Sequence, residues 1–204
     1  MIYHVMQGLT CMCITSAILQ CIKKSQPEHG LPEKNSLVFQ LFFFISGFCL
    51  CPANAVSTIL VLLCAGYIGA MAYTDFYTMQ VYSFFCLVIS VAGYGYLFIN
   101  QDWRTCSIAF MFILVVVLGR LVKAYSSGDL EIFCAITPYL AMIASRNNLE
   151  VFFFLFVYFW ICLLIKAVSL LIRAARDKKL ERKGPMAPAM CVAFMILTAL
   201  ENFL

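Results

Sequence analysis

From Leu37 to Thr74 the sequence is apolar almost without interruption, and no other feature constrains the fold of this chain more. At about 1.5 Å of rise per residue, one helix of that length would overrun a hydrocarbon core of roughly 30 Å, so the run must fold back on itself. Pro52-Ala53-Asn54 is the turn signal inside it. It predicts spans at Leu37 to Cys51 and Ala55 to Thr74, the former short enough to lie nearly upright or thin the bilayer. The same reading divides the rest of the chain. Val5 to Ile22 is a first span, Val81 to Ile99 a fourth, Thr105 to about Lys123 a fifth, and Ile132 to Ala144, containing Pro138, a sixth. Val151 to Ile172 and Ala189 to Phe203 are the seventh and eighth. The expected fold is therefore all-α, a polytopic transmembrane helix bundle of about eight spans in a lipid bilayer. It forms a single membrane domain, with residues 1–54 giving N-terminal spans and a short loop, and residues 55–204 the functional core.

Composition excludes the alternatives. Of 204 residues, 64% are hydrophobic and 12% charged, with a mean hydropathy of +0.94, more apolar surface than a soluble core of this size can hide. The first run lacks a basic leader and a small-residue cleavage site, and Gln20 is a poor residue before a lipidated cysteine, so it reads as a retained helix. Lys23 to Ser36, carrying Pro27, Gly30 and Pro32, is too short for a further domain. Gly93 and Gly95 are expected to let neighbouring helices approach closely. The aromatic runs Phe42 to Phe44 and Phe152 to Phe154 read as packing or lipid-facing surface.

The eleven cysteines lie mostly within apolar runs, as at Cys64, Cys86, Cys134 and Cys162, and no C-x-x-C pair occurs. They are read as structural, with no metal and no cofactor implied. His4 and His29 are isolated and are read as solvated or satisfied side chains. The basic run Arg173 to Lys183, with Arg176, Lys178, Lys179 and Arg182, has no aromatic residue interleaved, so it reads as a membrane-flanking anchor and not as a nucleic-acid surface.

Charge then sets orientation. With the Lys23 to Ser36 loop in the cytoplasm, alternate crossings put twelve basic residues on that side and leave only Arg104 and Arg146 outside. Asp75, after the third span, and Asp129, after the fifth, then share the cytoplasmic edge. Ionisable groups at the margin of a bilayer are costly to keep dry and are functional candidates by default. Two carboxylates that share one proton can split a peptide bond, the ionised member drawing a proton from water while the other polarises the carbonyl. Ser126 and Ser127 have no base nearby in sequence and are assigned to a turn.

Three segments resemble a known family. Asp75-Phe76-Tyr77-Thr78-Met79-Gln80-Val81-Tyr82-Ser83 resembles the bacterial type IV prepilin peptidase pattern of an aspartate followed six residues later by Ile-Pro-Asn. Ser126-Ser127-Gly128-Asp129-Leu130-Glu131-Ile132-Phe133 resembles that family's G-x-G-D-x-K-L-L segment, and Pro185-Met186-Ala187-Pro188-Ala189-Met190 its proline-flanked approach to the last helix. The three occur in family order from about Ala55 to the C-terminus. The resemblance implies a GxGD-type membrane aspartyl endopeptidase of the bacterial inner membrane, acting at the cytoplasmic face. It would remove the basic leader from type IV prepilins or pseudopilins.

By motif position Asp75 and Asp129 would be the catalytic acids. Gly128 would allow close backbone approach beside the second acid, and Glu131, Pro185 and Pro188 would shape the site or bind substrate. Tyr82 and Ser83 depart from the motif proline and asparagine, Ser126 from its first glycine, and Glu131 from its lysine. Glu131 would add negative charge near Asp129. The cysteine-paired insert that many members carry after the first helix is replaced here by the Lys23 to Ser36 loop, so no N-methyltransferase activity is expected. Two rival readings stand beside this one. One is a non-catalytic membrane assembly or transport protein, and the other a related protease of the preflagellin-peptidase or presenilin type.

Overall fold

Apolar runs bounded by Pro, Gly, Asn and Ser fold as helices throughout, and no strand occurs among the described residues. The computed structural model describes residues 2–26, 31–32, 37–48, 50, 55–121, 125–177 and 185–200. Within them run α1 (Ile2–Ser25), α2 (Leu37–Phe48), α3 (Ala55–Thr78), α4 (Ser83–Ile99), α5 (Trp103–Leu121), α6 (Ser127–Arg146), α7 (Val151–Asp177) and α8 (Ala187–Leu200). The turn expected at Pro52-Ala53-Asn54 lies outside the described residues, as do Pro27, His29, Gly30, Lys34, Lys123, Lys178, Lys179, Arg182 and Lys183.

Five helices, α1, α3, α5, α6 and α7, are long and apolar enough to cross a membrane, while α4 and α8 are shorter apolar helices. Among the described residues α2 has 12, about 18 Å, which is short for a span as its sequence suggested. Burial separates the five. The apolar windows of α3 and α6 are 78% and 72% buried, against 33% for α1 and 28% each for α5 and α7. Thus α3 and α6, the helices that carry Asp75 and Asp129, are those most shielded from lipid. α1 packs on α2 and α3, α4 on α6, α8 on α3 and α7, and α5 on α6.

Lipid offers no hydrophobic drive between helices, so close packing and buried hydrogen bonds must hold the bundle together. The Tyr139 hydroxyl on α6 donates to the Ile89 carbonyl on α4 at 2.8 Å, and Tyr158 on α7 donates to Met190 on α8 at 3.2 Å. Thr15 on α1 donates to the Gly66 carbonyl on α3 at 3.0 Å. Gly93 does bring two helices together: a Cβ there would fall 2.7 Å from Pro138 Cγ and 2.8 Å from Tyr139 Cε2. Gly95 does not, because its Cβ would meet nothing within 4 Å. Two residues turn the helix by about 200°, which carries Gly95 to the opposite face. Phe43 is buried and Phe153 is 65% exposed, so the aromatic runs divide between packing and outer surface.

Several helices run past their expected ends. α1 reaches Ser25, so Lys23 and Lys24 sit in its last turn, where cations complement the helix dipole, rather than in a loop. α3 continues through Thr78 and α7 through Asp177. Charge at the end of an apolar run marks the membrane edge, not the end of the helix.

Candidate active site at one end of the bundle

Asp75 was expected just beyond its helix, yet it lies within the last turn of α3. Thr78 Oγ1 donates to the Thr74 carbonyl at 2.7 Å, and the Met79 amide closes on the Asp75 carbonyl at 3.0 Å. Met79 then ends the helix in the left-handed region at φ 55°. The Asp75 side chain, 6% exposed, points across the bundle. Its Oδ2 accepts the Ala187 backbone N–H at 2.9 Å, and the Met186 amide also donates to this carboxylate. Those are the first orphan amides of α8, the groups a helix N-terminus leaves without internal partners. Asp75 thereby supplies an N-terminal cap from another helix.

Asp129 begins its helix rather than preceding it. α6 starts at Ser127, not at Ile132, because Ser126 caps it: Ser126 Oγ accepts the Asp129 N–H at 3.2 Å, and Asp129 Oδ2 accepts the Ser126 N–H at 2.9 Å. This is a reciprocal capping box, so Ser126 does more than make a turn. The Ser-x-x-Asp spacing carried that signal in the sequence. The Met186 and Ala187 amides had no comparable signal beyond their position between Pro185 and Pro188.

The two acids are brought to one end of the bundle, where the charge of Asp129 acts on Asp75, as does that of Lys166 from α7. Beside them opens a cavity of about 910 Å³, walled by the ends of α1, α3, α4 and α6. Asp75, Gly128 and Glu131 line it, with Tyr82, Ser83 and Ser126. Asp129 is not among these lining residues; it is buried in its cap next to the cavity wall. Pro185 and Pro188 also stand back from the cavity, half-buried, flanking the amides that hold Asp75.

Gly128 is a point of close contact. A Cβ would lie 3.0 Å from Val81 Cγ2 and 3.1 Å from Val81 Cβ, so the segments after Asp75 and before Asp129 touch at this glycine. Tyr82, in place of the motif proline, is the N-cap residue of α4 with an extended backbone. Glu131 Oε2 is buried and has no hydrogen-bond partner. His4 lies elsewhere, with Nδ1 3.1 Å from the Phe48 carbonyl.

Among the described residues no three His, Cys, Asp or Glu side chains gather in a way that could hold a metal ion. No family model matches the chain, and no curated protein or solved structure matches it.

Proposed function

We propose that this protein is a membrane aspartyl endopeptidase that removes a basic leader from type IV prepilin-like or pseudopilin-like substrates at the cytoplasmic face of a bacterial inner membrane. The observation that carries the reading is that Asp75 and Asp129, from the two most lipid-shielded long helices, lie at one end of the bundle, near enough for the charge of one to act on the other, beside a cavity that Asp75 lines. In the proposed reaction one carboxylate takes a proton from water as its oxygen bonds to the scissile carbonyl carbon. The other, protonated, gives its proton to the carbonyl oxygen; the first then passes the proton it took from water to the leaving amide nitrogen as the C–N bond breaks, and the second recovers a proton from the gem-diol hydroxyl as the new carbonyl forms. The Met186 and Ala187 amides orient Asp75, and the Ser126 amide orients Asp129.

A second reading, a non-catalytic membrane assembly or transport protein, has its own support, because each carboxylate caps a helix and could be kept for that reason alone. Incubating the purified protein in lipid with a synthetic prepilin separates the two. Peptidase activity that disappears in both Asp75→Asn and Asp129→Asn while the protein stays folded supports the first. No trimming by the unaltered protein, or undiminished trimming by either variant, overturns the assignment.

A further inference from the structure

Arg104 and Arg146 stand apart: of fourteen lysines and arginines, they alone fall by charge and alternation to the end of the bundle away from Asp75. The undescribed residues that adjoin this end in sequence, 51–54 and 201–204, include no lysine or arginine. Here the turn between α4 and α5 meets the turn between α6 and α7. Asp102 joins them: its Oδ1 accepts the Thr105 backbone N–H at 3.2 Å, and its Oδ2 accepts the Ser145 hydroxyl at 3.4 Å. Two cavities have Asp102 and Ser145 in common in their walls. One, of about 300 Å³, holds Arg146 and also Ser57, which is about 27 Å along α3 from Asp75. The other, of about 420 Å³, is lined by Arg104, Asn148 and Glu150 as well. Among the described residues the side chains of Arg104, Asn148 and Glu150 have no hydrogen-bond or ion-pair partner. A base, an amide and two acids thus border one small space, and the base is paired with neither acid.

The level of this space in the bilayer is marked by Trp103, the neighbour of Arg104. Its ring is exposed and packs edge-on against Phe98 with centroids 4.5 Å apart, and an exposed tryptophan at the end of a span sits among lipid headgroups. Below the cavity wall at Ile108, the exposed side chains of Met111 and Val115 continue along the same face of α5, an apolar track at helical spacing. A polar, mixed-charge cavity thus opens at headgroup depth above a surface suited to an acyl chain.

We infer that the 420 Å³ cavity binds the phosphoethanolamine group of a glycerophospholipid, with its phosphate on Arg104 and its ammonium between Asp102 and Glu150. A guanidinium matches two phosphate oxygens at once, and the Asn148 amide supplies a further donor. A primary ammonium has three N–H groups to give to the two carboxylates. The quaternary ammonium of choline has none, and a glycerol headgroup brings no positive charge, so the acids discriminate against both. The same phosphate ester exists in solution without its acyl chains; the track along Ile108, Met111 and Val115 favours the lipid. This site is separate from the one beside Asp75 and does not depend on what that one does.

Native mass spectrometry of the full-length protein in detergent tests the assignment, with dioleoyl phosphatidylethanolamine, phosphatidylcholine and phosphatidylglycerol titrated in turn. The ethanolamine lipid should bind about tenfold more tightly than the other two. Arg104→Gln should weaken it about tenfold, Arg104→Lys should keep part of the affinity, and Glu150→Gln should abolish the preference over phosphatidylcholine. Lys24→Gln, at the other end of the bundle, should change nothing. Adding glycerophosphoethanolamine then identifies the source: lipid that stays bound in its hundredfold excess assigns the site to the bilayer, and displacement assigns it to the soluble ester. Equal binding of the three lipids, or a preference that survives both Arg104→Gln and Glu150→Gln, overturns the inference.

Discussion

The Asp75 carboxylate and the Ala187 backbone amide, 112 positions apart, meet at 2.9 Å and tie the end of α3 to the start of α8. A side chain proposed for chemistry thus also holds two helices in place, and the two roles can be separated. Asparagine keeps an oxygen that can accept the Ala187 amide; alanine does not.

Asp75→Asn is therefore expected to unfold within about 1 kcal/mol of the unaltered protein, and Asp75→Ala to lose a further 1–2 kcal/mol, roughly the worth of a cap. Denaturant or thermal unfolding in one detergent measures the difference. Leader trimming should fall at least about a hundredfold in both, since both lack the proton-transferring group. Equal stability of the two variants would mean that the Asp75 to α8 contact contributes nothing.

Ser126→Ala removes one half of the capping box while leaving the Asp129 carboxylate in place. The expected cost is about 1 kcal/mol of stability. Trimming should slow only a few-fold, because Ser126 positions Asp129 and does not exchange protons with substrate. A loss as deep as that of Asp129→Asn would give Ser126 a direct part in the chemistry.

Gly128→Ala sets helix propensity against a tight contact. Alanine would favour α6 by about 0.5–1 kcal/mol, but its methyl group would press on the branched, stiff side chain of Val81 at 3.0–3.1 Å. Displacing that wall of the cavity should lower trimming by about tenfold with little loss of stability, since small misplacements weigh heavily on reaction geometry. Val81→Ala combined with Gly128→Ala should restore part of the activity. Failure of that rescue would place the defect elsewhere.

Gly93 and Gly95 provide a matched comparison on one helix. Gly93→Ala drives a methyl group into Pro138 and Tyr139 at 2.7–2.8 Å and should destabilise by about 1–3 kcal/mol, the range for overpacking. Gly95→Ala meets open space and should be neutral or stabilise by up to about 1 kcal/mol. Unfolding midpoints of the two variants in the same detergent check the pair.

That the chain is a helical membrane protein, and roughly where its helices lie, is legible from the residues alone, because a nonpolar solvent forces backbone polar groups to pair within each helix and apolar length reports the crossing. The sequence also singled out Asp75 and Asp129 as rare acids at run ends, and the Ser126-x-x-Asp129 spacing already carried the start of α6. Helix ends such as Thr78 and Asp177 were hidden, since hydropathy marks where lipid stops and backbone hydrogen bonding continues into water. It took the packing of the helices to show that the Ala187 amide holds Asp75, that Glu131 lines the cavity while Asp129 is buried in a cap, and that Gly93 packs where Gly95 does not. Those relations depend on how far each helix is rotated and which neighbour it meets, and a membrane gives no local pattern for either, because lipid and a packed helix look equally apolar to a side chain.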